Sequence, residues 1–334
     1  MLVKDYTIVD LTASILRKIF LMYQARYNFY VKKYYLRNNL KGGEISIILL
    51  TGKYSSLWDV VFRRLYEYSH DLDVIVVNAG GFNREKALKL STDYGFSYFE
   101  SLPNNYVSAQ NFVIRNIVQS RFIIKIDDDV FLTKHTIEKM IIAYKRLLNE
   151  GHDVGFVAPV LNVNNVSYYH FLKTLDLLQE YERSFGKPIF TKHWAKQPIW
   201  YDPRASQWIW EKSIPLNEIS DIFASKNKNL IEIIPVRFSI QCIMFERGFL
   251  LNKYGYLSIL KSTTKNRRSK GKGKKQSILL PFNDEDSINY YSDTLKYGRF
   301  LVLDSFAGHL AYYPQSEYML KWFEKNKTKL MEDL

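Results

Sequence analysis

The chain has 334 residues and a single cysteine, Cys242. No intrachain disulfide and no cysteine-rich zinc site can form, which fits a reducing compartment. No apolar run reaches the ~18 residues of a membrane-spanning helix. The opening stretch MLVKDYTIVDLTASILRKIF lacks the basic-then-apolar order of a secretory signal. No internal repeat is visible. Acidic residues are absent between positions 11 and 40, where Arg17, Lys18, Arg26, Lys32, Lys33 and Arg37 mix with Ile15, Ile19, Phe20, Met22, Phe29 and Tyr34. That segment reads as a basic amphipathic helix, either packed on the domain or resting on anionic lipid. The resulting expectation is a cytoplasmic protein, peripheral on the inner face of a membrane.

Hydrophobic residues make up 47% of the chain and aromatics 16%, enough for a sizeable core and too much for global disorder. Lys and Arg number 47 against 34 Asp and Glu, a net charge of +13. A field of that sign favours nucleotide phosphates, nucleic acid or an anionic membrane as partner. A basic nucleic-acid-binding protein is one reading. Against it, no DNA- or RNA-binding module pattern appears, and the basic residues gather in the N-terminal segment and in KSTTKNRRSKGKGKKQS (261–277). That Lys/Gly/Ser tract reads as a mobile loop, either idle, a lid over a diphosphate, or a contact for lipid or acceptor.

From residue 44 short β-rich runs alternate with helical spacing. ISIILLT (45–51), DVIVVNAGG (73–81), RFIIKI (121–126) and DVGFVAPVL (153–161) read as buried strands. Between them, residues 56–69, 83–95, 109–120 and 136–148 have helical periodicity. Such βαβ alternation predicts an α/β fold with a mostly parallel sheet flanked by helices, which binds ligands at the carboxyl ends of its strands. Residues 162–230 read as irregular and rich in aromatics. A strand and short helix are expected from IPVRFSIQCIMFERGFLLNKYG, an acidic turn and helix over 281–298, a last strand over 300–314, and a C-terminal helix.

The triplet Asp127, Asp128 and Asp129 follows the RFIIKI strand and so falls at the ligand edge. Three adjacent carboxylates repel one another. They read as a divalent-metal site, an acidic turn or a helix start; a bound cation would cancel the repulsion.

Taken in order, these stretches resemble the GT-A nucleotide-sugar glycosyltransferases, most of all glycosyltransferase family 2. The resemblance covers roughly residues 44–160 and 235–315. It implies a GT-A (Rossmann-like) domain over 44–315, preceded by the basic helix and linker of 1–43 and followed by a helix over 316–334. It implies a nucleotide-sugar donor held by Thr51, Asn78, Arg115, Asp127 and Asp128. Asn78 stands where the family usually has Asp, and an Asn still suits a uracil edge, so a UDP-sugar is favoured. It implies Mn²⁺ or Mg²⁺ on Asp129, Asp127 and His309, and Asp286 as catalytic base with Glu285 beside it. The acceptor would be a glycan or a lipid-linked sugar in surface polysaccharide synthesis, and the anomeric centre would invert. IKIDDDVFLT also resembles the metal strand of the β-1,3-galactosyltransferase family, a second reading within the same fold.

Single residues also have plainer readings. The 284–286 carboxylates suit a helix N-terminus. His309 could be a core histidine and Arg115 a surface residue. Trp194, Trp200, Trp208 and Trp210 could be core or an acceptor-sugar platform. The sequons at Asn165 and Asn326 are discounted for want of a signal peptide.

Overall fold

The structure is a computed structural model. It describes residues 28–52, 54–69, 71–191, 197–251 and 283–334, together with Thr12, Ile15, Leu16 and Ile19. The Lys-rich tract, His193 and Trp194 lie outside the described residues, as does most of the expected N-terminal helix. Of that helix, Thr12, Ile15, Leu16 and Ile19 are helical and exposed.

Ten strands form one sheet: β1 (Lys33–Arg37), β2 (Ile45–Thr51), β3 (Asp73–Ala79), β4 (Ser97–Leu102), β5 (Phe122–Asp127), β6 (Val130–Leu132), β7 (Val154–Leu161), β8 (Ile231–Ile233), β9 (Cys242–Glu246) and β10 (Gly298–His309). The order is β1-β4-β3-β2-β5-β9-β7-β10-β6, with β8 also on β10. β4, β3, β2 and β5 run parallel, as do β7 and β10; β9 is antiparallel between β5 and β7. This is the expected α/β class, a mostly parallel sheet with helices packed on it. β2, β3 and β7 are buried along nearly their whole length, as the runs of Val, Ile and Leu require of strands covered on both faces.

Two expectations are corrected. Residues 33–37, read as part of the basic helix, form an edge strand antiparallel to β4. Tyr34 packs on Phe99 and Phe112, and Arg37 donates to the Ser91 and Phe96 carbonyls. Tertiary pairing has overridden a helical pattern there. Residues 162–230 are not irregular. They contain helices Tyr168–Thr174, Leu178–Phe185, Pro198–Tyr201, Pro203–Glu211 and Leu216–Lys226.

Arg64 ties the C-terminal helix Ser316–Glu332 to the sheet. It is fully buried; its Nε donates to Leu132 O at 2.6 Å and its Nη1 to Leu330 O at 2.9 Å and Asp333 O at 2.8 Å. Arg64→Met would leave these carbonyls unpaired and is expected to cost about 3 kcal/mol in a urea-unfolding measurement. A change within error would mean that the clamp contributes nothing.

Candidate active site

A cavity of about 480 Å³ opens at the carboxyl ends of β2, β3 and β5. Its walls come from the ends of three parallel strands and the segments that follow them: Thr51, Gly52 and Tyr54 at and after the end of β2, Ala79 and Phe82 at and after the end of β3, Asn104 and Tyr106 after β4. Its floor is the end of β5. Ile240 and Gln241 close one side, and the start of helix Asp284–Leu295 closes another. Among the described residues, five carboxyl groups line it (Asp127, Asp128, Asp129, Asp284 and Glu285) together with one ammonium, Lys125.

Two segments far apart in the chain meet here through strand register. β6 begins immediately after the triplet and pairs antiparallel with the end of β10, setting His309 opposite Val130. Leu310 N donates to Asp129 O at 2.9 Å. The His309 Nε2 consequently lies 3.6 Å from Asp129 Oδ2. The His309 Nδ1–H donates to Val163 O, and the His309 backbone N donates to Asn162 Oδ1 at 2.8 Å. With Nδ1 engaged, Nε2 is the nitrogen turned toward the carboxylate. Trp210 supports this strand end, with its Nε1 donating to the carbonyls of His309 and Leu310. A Cβ added at Gly308 would come within 2.6 Å of the Trp210 ring, so only glycine fits.

Each aspartate of the triplet has its own environment. Asp128 Oδ2 accepts from Gly52 N at 2.7 Å and Trp58 Nε1 at 2.8 Å, which pins the turn after β2. Burial pushes its carboxyl up to about 7, and repulsion from Asp129 adds to this. Asp127 pairs with Lys125 Nζ at 2.6 Å. Asp129 Oδ1 is buried and has no hydrogen-bond partner among the described residues. Burial disfavours a charged His309, but the Asp129 carboxylate, the Val163 carbonyl and Asp127 together more than offset this and hold the imidazole above its ordinary range.

Lys125 was not singled out from sequence. It is 2% exposed, contacts Asp127, lies 3.7 Å from Asp284 Oδ2, and donates to Ile240 O at 3.0 Å. Its signal was a lone lysine in an apolar strand, two residues before an aspartate and thus on the same face. Asp284 also accepts from Gln110 Nε2 at 3.1 Å.

Other expected site residues divide. Thr51 and Glu285 line the cavity; Asp286 is not among its lining residues. Arg237 Nη2 contacts both Glu285 Oε1 and Asp286 Oδ1 at 2.7 Å. Burial raises the Glu285 carboxyl to about 7, against the pull of Arg237. Asn78 lies beneath the wall, fully buried, its amide donating to Phe82 O at 2.9 Å and Tyr98 OH at 3.1 Å. Arg115 does not reach the cavity: it is exposed and lies over the Phe29 ring at 4.9 Å. Asp127, expected beside Asp129 and His309 as a metal ligand, lines the same cavity with its Oδ1 2.6 Å from Lys125 Nζ. No cluster of three His, Cys, Asp or Glu residues suited to a metal occurs among the described residues. Trp210 is core, Trp208 packs on Tyr181 and Phe185, and Trp200 packs on Tyr312. Asn165 is fully buried, which removes that sequon from the folded surface.

Because burial disfavours ionised Glu285, its contribution to stability is present below the ordinary carboxylate range and is lost as pH rises through about 7. Glu285→Gln is therefore expected to raise the thermal midpoint of the metal-free protein at about pH 8 and to lose that advantage at about pH 5. Equal shifts at both pH values would contradict the assignment.

No protein-family model and no curated protein matches the chain. Among solved structures it is similar to the mannosyltransferase PcManGT from Pyrobaculum calidifontis in complex with GDP-Man and Mn2+. The two are 13% identical, the match covers 93% of this chain and 70% of that one, and the TM-score is 0.44.

Proposed function

We propose that this chain is an inverting, divalent-metal-dependent glycosyltransferase that moves a sugar from a nucleotide-sugar donor to a glycan or lipid-linked acceptor. One observation carries the reading. Asp129 Oδ1 is buried and has no partner among the described residues, and His309 Nε2 faces the same carboxylate, inside a cavity rich in carboxyl groups. A buried, unsatisfied anionic oxygen is costly unless a positive group meets it. An oxygen and an imidazole nitrogen suit Mn²⁺ or Mg²⁺.

Bound there, the cation would stabilise the negative charge on a diphosphate leaving group. The chain's own residues do the rest. Asp129 and His309 would hold the metal. Tyr54 and Phe82 offer rings for a nucleobase, beside the turn that Asp128 fixes. Lys125 offsets Asp127 and Asp284, so that the cavity floor does not repel an anionic donor outright. Glu285, rather than Asp286, faces the cavity; it accepts the acceptor hydroxyl proton at Oε2, while Oε1 is held by Arg237. Separate groups for leaving-group and acceptor chemistry favour direct displacement with inversion.

Finer readings remain part of the proposal. Asn78 leans toward a UDP-sugar. Surface polysaccharide synthesis at the cytoplasmic face of a membrane fits the basic N-terminal segment. Among the described residues no helix is long and apolar enough to cross a membrane. The test is a panel of UDP- and GDP-sugars with Mn²⁺, read as nucleoside diphosphate release. Release with at least one donor that EDTA abolishes is expected; release indifferent to EDTA, or none with any donor, would overturn the reading.

A further inference from the structure

A second cavity, of about 560 Å³, lies at the opposite end of the same strands. It is bounded by the segment before β2, the end of helix Trp58–Ser69, the start of β3 and the turn before β4. β2 and β3 each have seven residues, so it stands roughly 20 Å from the metal-site cavity at about 3.3 Å per residue. Nothing proposed above uses it.

Its frame is rigid. Asp73 accepts from the backbone N–H groups of Lys41, Gly42 and Gly43 at 2.7, 2.8 and 3.0 Å. Asn39 Nδ2 donates to Gly95 O at 3.1 Å, and Asn39 N to Ser97 Oγ at 2.7 Å. One wall is an aromatic shelf of Tyr66 and Tyr94, whose rings are tilted by 38°, backed by the buried Phe96. Tyr66 and Tyr94 have ring centroids 5.2 Å apart, and Tyr94 and Phe96 stack at 5.8 Å and 27°. Tyr66 is 55% exposed. Around the shelf stand Lys41, Glu67 and Asp71. Among the described residues their side chains, and the hydroxyls of Tyr66 and Tyr94, make no hydrogen bond or ion pair. A hydrogen-bonded frame thus places the exposed Tyr66 ring, the half-buried Tyr94 ring and uncommitted polar groups around one space.

We infer that this cavity binds a neutral oligosaccharide, separately from the metal-dependent site. A pyranose has an apolar C–H face that packs on an aromatic ring, and hydroxyls at its edge that suit carboxylate acceptors and an ammonium donor. Two free carboxylates against one lysine disfavour a phosphate-bearing ligand. The cavity's charged rim of Lys41, Glu67 and Asp71 does not suit a lipid chain. The inference deepens the proposed function and rests on it in one respect: the bound sugar would be a distal part of the acceptor glycan, anchored while its end reaches the catalytic cavity.

The experiment measures binding of neutral gluco-, galacto- and manno-oligosaccharides to the full chain by calorimetry, without donor or metal. At least one series is expected to bind, with affinity reduced about tenfold or more by the double change Tyr66→Ala and Tyr94→Ala. Because those two rings also pack on Phe96, Glu67→Gln with Asp71→Asn provides a second variant that leaves the shelf intact, and it should weaken binding as well. Asp129→Asn should bind the same glycan as wild type. Absence of binding by every series, loss of binding in Asp129→Asn, or an unchanged affinity in both cavity variants would overturn the inference, as would displacement of the glycan by a quaternary ammonium ion. Donor release is scored separately. If it fails while cavity-dependent glycan binding persists, the transferase reading falls and the glycan site stands.

Discussion

Asp129→Asn is expected to abolish metal-dependent donor turnover, with Mn²⁺ affinity falling by more than about 100-fold, since a ligand should matter at least as much as the outer partners whose loss costs 10- to 100-fold. The side chain keeps its size and loses its charge. The carboxylate oxygen that has no partner becomes a neutral amide group, and His309 loses the anion that raises its imidazole. The protein should remain folded, because Asp129 contributes its main-chain oxygen, not its side chain, to the bond with Leu310. Metal affinity from calorimetry and nucleoside diphosphate release from a coupled assay provide two separate readouts. Turnover at wild-type level in Asp129→Asn would remove the metal from the account.

Glu285→Gln should lower kcat by about 10²- to 10⁴-fold, the usual worth of a positioned proton acceptor. The donor KM should change little, because Glu285 is assigned to the acceptor side. Its elevated proton affinity makes a further prediction. Wild-type kcat should rise with pH through about 7, the point to which burial brings this carboxyl, and that limb should vanish in Glu285→Gln. Asp286→Asn is the informative comparison. Both carboxylates contact Arg237, but Asp286 does not line the cavity. If Asp286→Asn cost the full factor and Glu285→Gln did not, the base would be Asp286, as the family resemblance alone implied.

The parallel strands were legible because they are buried on both faces, and burial of both faces demands unbroken Val, Ile and Leu. β4 was not, because SYFESL alternates polar and apolar residues weakly, and β1 depends on β4 for its pairing. β6 has three residues, too few for any periodicity, yet its register on β10 assembles the site. The helices between residues 168 and 226 were masked by aromatic residues that suit core and surface platform equally. Asp129 and His309 could be named from sequence by resemblance; their meeting could not be derived, because 180 positions separate them. The helix that carries Arg115 was legible from its periodicity, but its contact with the Phe29 ring was not. Lys125 was readable in principle, since a lysine inside an apolar strand requires carboxylates nearby, and Asp127 and Asp284 supply them.

The most direct test is calorimetric titration of a nucleoside diphosphate into the wild-type protein, with Mn²⁺ and with EDTA, repeated on His309→Ala. Binding is expected only with Mn²⁺, and is expected to be lost in His309→Ala. Equal binding with EDTA, or undiminished Mn²⁺-dependent binding in His309→Ala, would contradict it.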